Sequence, residues 1–221
     1  IQKVTEEIVL SIASTVHKEL NVDYLCLAGG VALNCVSNGR ILREGSFKDI
    51  WIQPAAGDAG GALGAALNIW YEYLNNPRSV DNKNDSMQGS YLGKRFTNDE
   101  IKIYLDSISA VYTEVEDVTL MPKLAKVLDS GSVIGWFNGR MEFGPRALGG
   151  RSIIGEPRSS KMQSIMNLKI KYRESFRPFA PAVKAERVSD WFEMEQSSPY
   201  MLLVAPVKKT KRTPMTQQHL E

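Results

Sequence analysis

"DYLCLAGGVALNCVSNGRIL", residues 23–42, and "KDIWIQPAAGDAGGALGAALNIWYEYL", residues 48–74, decide the fold class. In each, a short apolar run predicts a buried strand, a glycine-rich turn interrupts it, and a helical stretch follows. The first helix is predicted from about Ala32 to Arg43. Pro54 stops the second strand, and the second helix ends near Leu74. Strand, turn and helix occurring twice is the alternation of an α/β domain. Upstream, Val4, Ile8, Ile12, Val16 and Leu20 recur every four residues. They predict an amphipathic helix with these residues along one side, ending near Asn21.

Composition bounds what the domain can do. The chain has 221 residues, 43% apolar and 24% charged, the balance of an ordinary globular protein with one large domain or two small ones. A net charge of +2 gives no general reason to expect nucleic acid or an anionic membrane as partner. Cys26 and Cys35 form no C-x-x-C pattern, which reads as reduced thiols in a cytosolic protein. The sequence has no apolar run of about 18 residues and no signal-peptide pattern at its start, so a cytoplasmic location is expected. The chain opens on Ile1 inside a helical pattern, which predicts a piece excised from a longer protein.

After the first α/β region, "NNPRSVDNKNDSMQGS" (75–90) is polar and reads as a linker or a long exposed loop. The predicted organisation is a first domain over 1–76, a linker over 77–96 and a second, α+β domain over 97–221. Thr97 and Glu100 form a capping box ahead of a helical segment. A strand is expected near Val111–Val118, a helix from about Leu120 to Asp129 with Pro122 in its first turn, and a buried strand at "SVIGWFN". "SSKMQSIMNLKIKY" reads as helix, "FRPFAPAV" as extended chain, and the tail beyond Val207 as frayed.

The local chemistry concentrates in "GRMEFGPRALGGRS", residues 139–152. Four glycines and a proline surround Arg140, Arg146 and Arg151. The segment reads either as a surface turn with solvated charges or as an oxyanion-binding loop, since arginine forks match phosphate and carboxylate oxygens. Between Arg140 and Arg177 nine basic residues stand against three acidic ones, and a surplus of six makes the rest of the chain net negative by four. Such focusing suits a small polyanion. Within "KYRESFRPFAP", Lys171, Arg173 and Arg177 lead into a rigid, proline-flanked segment. Gly29-Gly30 with Asn34 reads as a tight turn or as backbone that a nucleotide can approach. Asp58 reads as a helix cap or a metal ligand. Neither loop is a P-loop or a G-x-G-x-x-G fingerprint.

"LAGGVALNCVSNGRIL", "IQPAAGDAGGALGAAL", "NGRMEFGPRALGGRSII" and "KYRESFRPFAPAV", in this order, resemble the signature segments of the O-carbamoyltransferases that modify antibiotics and nodulation-type oligosaccharides. The resemblance covers roughly Leu25 to Val183. It implies part of an actin/sugar-kinase-type ATPase lobe followed by a domain resembling threonylcarbamoyl-AMP synthase. It implies ATP and carbamoyl phosphate as co-substrates, carbamoyl adenylate as intermediate, a hydroxyl-bearing acceptor, and a divalent metal, iron or magnesium. Carried over residue by residue, Arg146, Lys171 and Arg177 match the catalytic grip on carbamoyl phosphate and adenylate, with Arg151 and Arg173 supporting substrate binding. Gly29, Gly30 and Asn34 match the nucleotide loop, and Asp58 the metal carboxylate. The paired histidines of that metal site have no match here, because His17 and His219 do not fit them. A noncatalytic nucleotide-binding module and a tRNA threonylcarbamoylation-type enzyme are the alternative readings.

Overall fold

The computed structural model describes residues 1–81 and 83–214. They divide into two compact units, one comprising Ile1–Val80 and the segment returning at Ala182, the other Asp81–Pro181.

In the first unit, helix α1 (Gln2–Leu20) ends where Asn21 adopts a left-handed conformation at φ 50°. Strand β1 (Tyr24–Leu27) follows, then a single 3-10 turn (Gly30–Leu33), α2 (Cys35–Glu44) and β2 (Asp49–Ile52). Helix α3 (Asp58–Asn68) continues as a π-helical turn over Ile69–Tyr73. β1 and β2 pair in parallel, with Leu25 opposite Ile50, so α2 is the crossover of a βαβ unit. The α/β alternation read from the sequence is therefore present. Ala13, Ile41 and Phe47 form the core, with Val9, Leu10, Val16, Leu25, Leu27 and Ile50 packed around them.

The predicted face of α1 needs correction. Val9, Ala13 and Val16 turn inward, whereas Val4, Ile8, Ile12 and Leu20 are exposed. A four-residue step overshoots a full helical turn by about 40°, so the row from Val4 to Leu20 winds about 160° around the cylinder. The i, i+4, i+7 set of Val9, Ala13 and Val16 stays on one face.

The predicted domain division also differs from the structure. The sequence predicts a second domain running to residue 221, but the chain re-enters the first unit at Ala182. Buried Asn38 explains the return: its Nδ2 donates to the carbonyls of Ala32 (2.8 Å) and Leu202 (3.0 Å). The Val204 amide donates to the Cys35 carbonyl, again beside α2. Beyond Val207 the predicted frayed tail forms a 3-10 turn over Lys209–Lys211, and Arg212 donates to the Val207 carbonyl at 2.8 Å. His219 lies outside the described residues.

In the second unit, the Thr97–Glu100 capping box forms as predicted and opens α4 (Asn98–Ser107). The strand expected near Val111–Val118 is absent: residues 111–116 join no ladder, and Val111 is fully exposed. α5 (Asp117–Asp129) begins earlier than predicted, which places Pro122 inside the helix. β3 (Ile134–Phe137) and β4 (Arg151–Ile154) pair antiparallel with Phe137 opposite Arg151. α6 (Met162–Ile165) runs into a π-helical turn, Met166–Ile170. No helix among the described residues is long and apolar enough to cross a membrane.

Candidate functional site

The hairpin between β3 and β4 carries the glycine- and arginine-rich stretch. Gly139 turns the chain at φ 58°, and the loop then closes on a carboxylate. Oε1 of buried Glu142 accepts from the backbone nitrogens of Leu148 (2.7 Å), Gly150 (2.7 Å) and Arg151 (3.2 Å). Burial pushes the Glu142 carboxyl up, but the surrounding backbone N–H groups outweigh that and hold it below its ordinary value. Gly150 is required by the close approach, because a β-carbon there would lie 2.6 Å from the Arg140 carbonyl and 3.0 Å from the Glu142 carboxylate.

A strap formed by residues 87–95 lies beside this loop. The amides of Phe143 and Gly93 bond to the carbonyls of Ser90 (2.6 Å) and Met141 (2.9 Å), and the Tyr91 hydroxyl donates to the Leu148 carbonyl. Met87 and Ser90 are buried. The second half of the expected linker is thus packed structure, recruited by backbone bonds that its polar composition does not announce.

The arginines of the loop do different jobs. Arg151 directs Nη1 to the carbonyls of Asn138 (3.1 Å) and Gly150 (2.7 Å), and Nη2 to that of Gly139 (3.3 Å). Its guanidinium also stacks 3.4 Å from the centroid of Phe137. Arg151 therefore braces the hairpin in this arrangement. Arg140 donates to the Gly93 carbonyl at 3.1 Å and ties the strap to the loop. Arg146, between Pro145 and Ala147 of the same loop, is half-buried.

The second basic segment is organised by Asn167, which is fully buried. Its Nδ2 donates to the carbonyls of Ser175 (3.1 Å) and Arg177 (2.8 Å), while its Oδ1 accepts from Arg173 Nε at 2.6 Å. Arg173 also stacks 4.9 Å from the Phe179 centroid. Exposed Arg177 pairs with Glu174 at 2.8 Å, a contact that water screens, and Lys171 is exposed at the end of the π-helical turn. Arg158, in the same charge-rich window, is held by Glu156 and Asp129.

One strand joins the two segments. Arg151 starts β4, and Gly155 just beyond it packs so closely on Met162 and Met166 that a β-carbon would meet the Met166 sulfur at 2.5 Å. Met166 immediately precedes Asn167. At strand rise, Arg151 and Gly155 stand about 13 Å apart. The structure thus supports Arg146 and Arg151 at one end of this strand and Lys171, Arg173 and Arg177 beyond the other.

The remaining predicted site residues lie in the first unit. Gly29 adopts φ 93°, and a β-carbon on Gly29 or Gly30 would meet nothing within 4 Å, so this turn has open space beside it. Asn34 caps α2 by accepting from the Ser37 amide at 3.2 Å, and it exchanges side-chain hydrogen bonds with Gln2. Asp58 opens α3 without making a side-chain cap. His17 bonds the Val22 carbonyl at 2.9 Å and meets Phe47 edge-on. Among the described residues no group of three or more His, Cys, Asp or Glu can hold a metal. Asp58 offers a single carboxylate, so these residues alone do not fit the expected metal.

Two family profiles match separate stretches of the chain. The family profile described as Carbamoyltransferase N-terminus matches residues 1–67, and Carbamoyltransferase C-terminus matches residues 125–220. The chain belongs to the carbamoyltransferase family. Both basic segments fall in the C-terminal match, and Gly29, Gly30, Asn34 and Asp58 in the N-terminal one. It is 64% identical over 99% of its length to an uncharacterized protein of Synechocystis, covering 36% of that protein. It is 38% identical to the nodulation protein NolNO of Sinorhizobium fredii, with 96% of the chain matching 31% of that protein. It is 30% identical to the 3'-hydroxymethylcephem-O-carbamoyltransferase of Streptomyces clavuligerus, with 93% of the chain matching 37% of the enzyme. The chain therefore spans about a third of the length of these relatives.

Sequence reasoning missed Glu142 and Asn167 as organisers of the two segments. The only signal was one acid inside a loop of arginines, and one asparagine set between Met166 and Leu168.

Proposed function

We propose that this chain supplies the carbamoyl-activating part of an ATP-dependent O-carbamoyltransferase. Carbamoyl phosphate loses phosphate to water and gives carbamate. A carbamate oxygen then attacks the α-phosphorus of ATP, the bond to pyrophosphate breaks, and carbamoyl adenylate forms. In the final step an acceptor hydroxyl attacks the carbamoyl carbon, AMP leaves, and the hydroxyl proton passes to solvent. The reading rests on one observation: two preorganised basic segments lie within the C-terminal family match, joined by one short strand.

The chemistry suits these residues. Negative charge grows on phosphoryl oxygens as carbamate attacks, and cations carried on segments braced by Glu142 and Asn167 would stabilise it. We assign Arg146 to the carbamoyl phosphate end and Lys171 and Arg177 to the nucleotide phosphates, with Arg151 and Arg173 as supports. The parallel βαβ unit with its open Gly29-Gly30 turn is proposed as part of an ATPase-type lobe that receives nucleotide. Asp58 would contribute one carboxylate to a metal whose other ligands are not among the described residues.

Exchange of labelled pyrophosphate into ATP tests the reading. Exchange that depends on carbamoyl phosphate supports it, and none in the wild-type chain at saturating substrates overturns it.

A further inference from the structure

The amides of Leu148, Gly150 and Arg151 converge on one point, an arrangement of backbone N–H groups that forms an anion-binding concavity. In this chain the concavity is filled from within by the Glu142 carboxylate, which is 8% exposed. An acid at the centre of a basic loop opposes anion binding unless it has structural work to do. Its oxygen is shared by three amides across nine residues of chain, and Gly150 has no room for a β-carbon beside it. A lysine, an apolar residue or a shorter acid at 142 could not gather the same three donors.

We infer that Glu142 is a positioning residue: its ionised carboxylate serves as an internal anion that sets the conformation of residues 144–151 and thereby aims Arg146 at a phosphate-bearing ligand. The ligand part of this inference rests on the function proposed above. The loop part does not. Glu142 touches no reacting atom and acts through the backbone. Because the three donors are already satisfied, the ligand phosphate must be taken by side chains of the loop rather than by its amides.

The experiment compares the wild-type chain with E142Q, which keeps size and shape but loses the charge, and G150A, which keeps the charge but drives a β-carbon against the Arg140 carbonyl and the Glu142 carboxylate and so displaces the same loop. Nitrogen-15 amide shifts are followed against pH, and carbamoyl phosphate binding is measured by calorimetry. In the wild type, the Leu148, Gly150 and Arg151 amides should titrate together, below the ordinary glutamate range, and this titration should vanish in E142Q. Both variants should bind carbamoyl phosphate about tenfold or more weakly, through lost preorganisation, while the spectrum of the rest of the chain is retained. If the three amides do not follow Glu142, the inference fails even where the wild type binds. If they do follow it but both variants bind within twofold of the wild type, the aiming role is overturned. If the wild type binds neither carbamoyl phosphate nor ATP, the proposed function fails and takes the aiming role with it, while the amide titration still decides whether Glu142 sets the loop.

Discussion

Asn167 Nδ2 lies 2.8 Å from the carbonyl oxygen of Arg177, ten residues further along the chain. With the bonds to Ser175 and Arg173, this one buried amide closes the segment that carries Lys171, Arg173 and Arg177. Replacing Asn167 by Ala leaves two carbonyls without that donor and Arg173 without its guide. Unmet buried polar groups cost about 1–3 kcal/mol each, so Asn167→Ala should destabilise the second unit by roughly 2–4 kcal/mol. Asn167→Asp should not rescue it, because a carboxylate faces two carbonyl oxygens. Denaturant melts of the three proteins check this; a loss below about 1 kcal/mol for Asn167→Ala would refute the assigned role.

The acid limb of stability should report Glu142. Its folded carboxyl is held below the ordinary 4.5, so the folded state gives up this proton more readily than the unfolded chain. The stabilisation is present above that ordinary value and is lost as pH falls through the folded value. Stability measured from pH 6 downward should therefore fall more gently in E142Q than in wild type below about pH 4.5. Parallel curves would contradict this. Glu156 and Glu174, lowered chiefly by the side chain of Arg158 and by the backbone N–H of Glu174 respectively, add to the same limb in both proteins.

Arg151→Lys should not be a conservative change. Lysine keeps the charge but loses the planar stack on Phe137 and the fork that reaches the carbonyls of Asn138, Gly139 and Gly150. A loss of about 1–2 kcal/mol in melting experiments is expected. Stability equal to wild type would show that the charge alone suffices.

How much of this was legible in the sequence depended on where each residue's partner lies. The Thr97–Glu100 cap and the strand, turn and helix repeats were readable because their partners are a few residues away. The α1 face was misread, because a spacing of four looks periodic while drifting around the helix; Val9, Ala13 and Val16 mark the buried side. The strand expected at 111–118 failed for want of a neighbouring edge, which propensity does not reveal. At the site, the arginines were visible as charge. Glu142 and Asn167 were not, since their partners are backbone amides and carbonyls that every residue possesses.

Asn34 offers a separate test of the nucleotide loop. As the α2 cap it should cost about 1 kcal/mol when changed to Ala and far less when changed to Ser, which can still cap. If Asn34 also contacts nucleotide, Asn34→Ser should weaken ATP binding while leaving the melt near wild type. Unchanged ATP affinity in Asn34→Ser would leave Asn34 with its capping role alone.

The central claim is that the two basic segments bind the phosphorylated substrates. Calorimetric titration of carbamoyl phosphate and of ATP into the wild-type chain, Arg146→Ala and Lys171→Ala tests it most directly. The account predicts saturable binding of both ligands to the wild type. Carbamoyl phosphate affinity should fall about tenfold or more in Arg146→Ala, and ATP affinity likewise in Lys171→Ala, with the melt of Lys171→Ala unchanged. No binding by the wild type, or equal affinities in all three proteins, would contradict it.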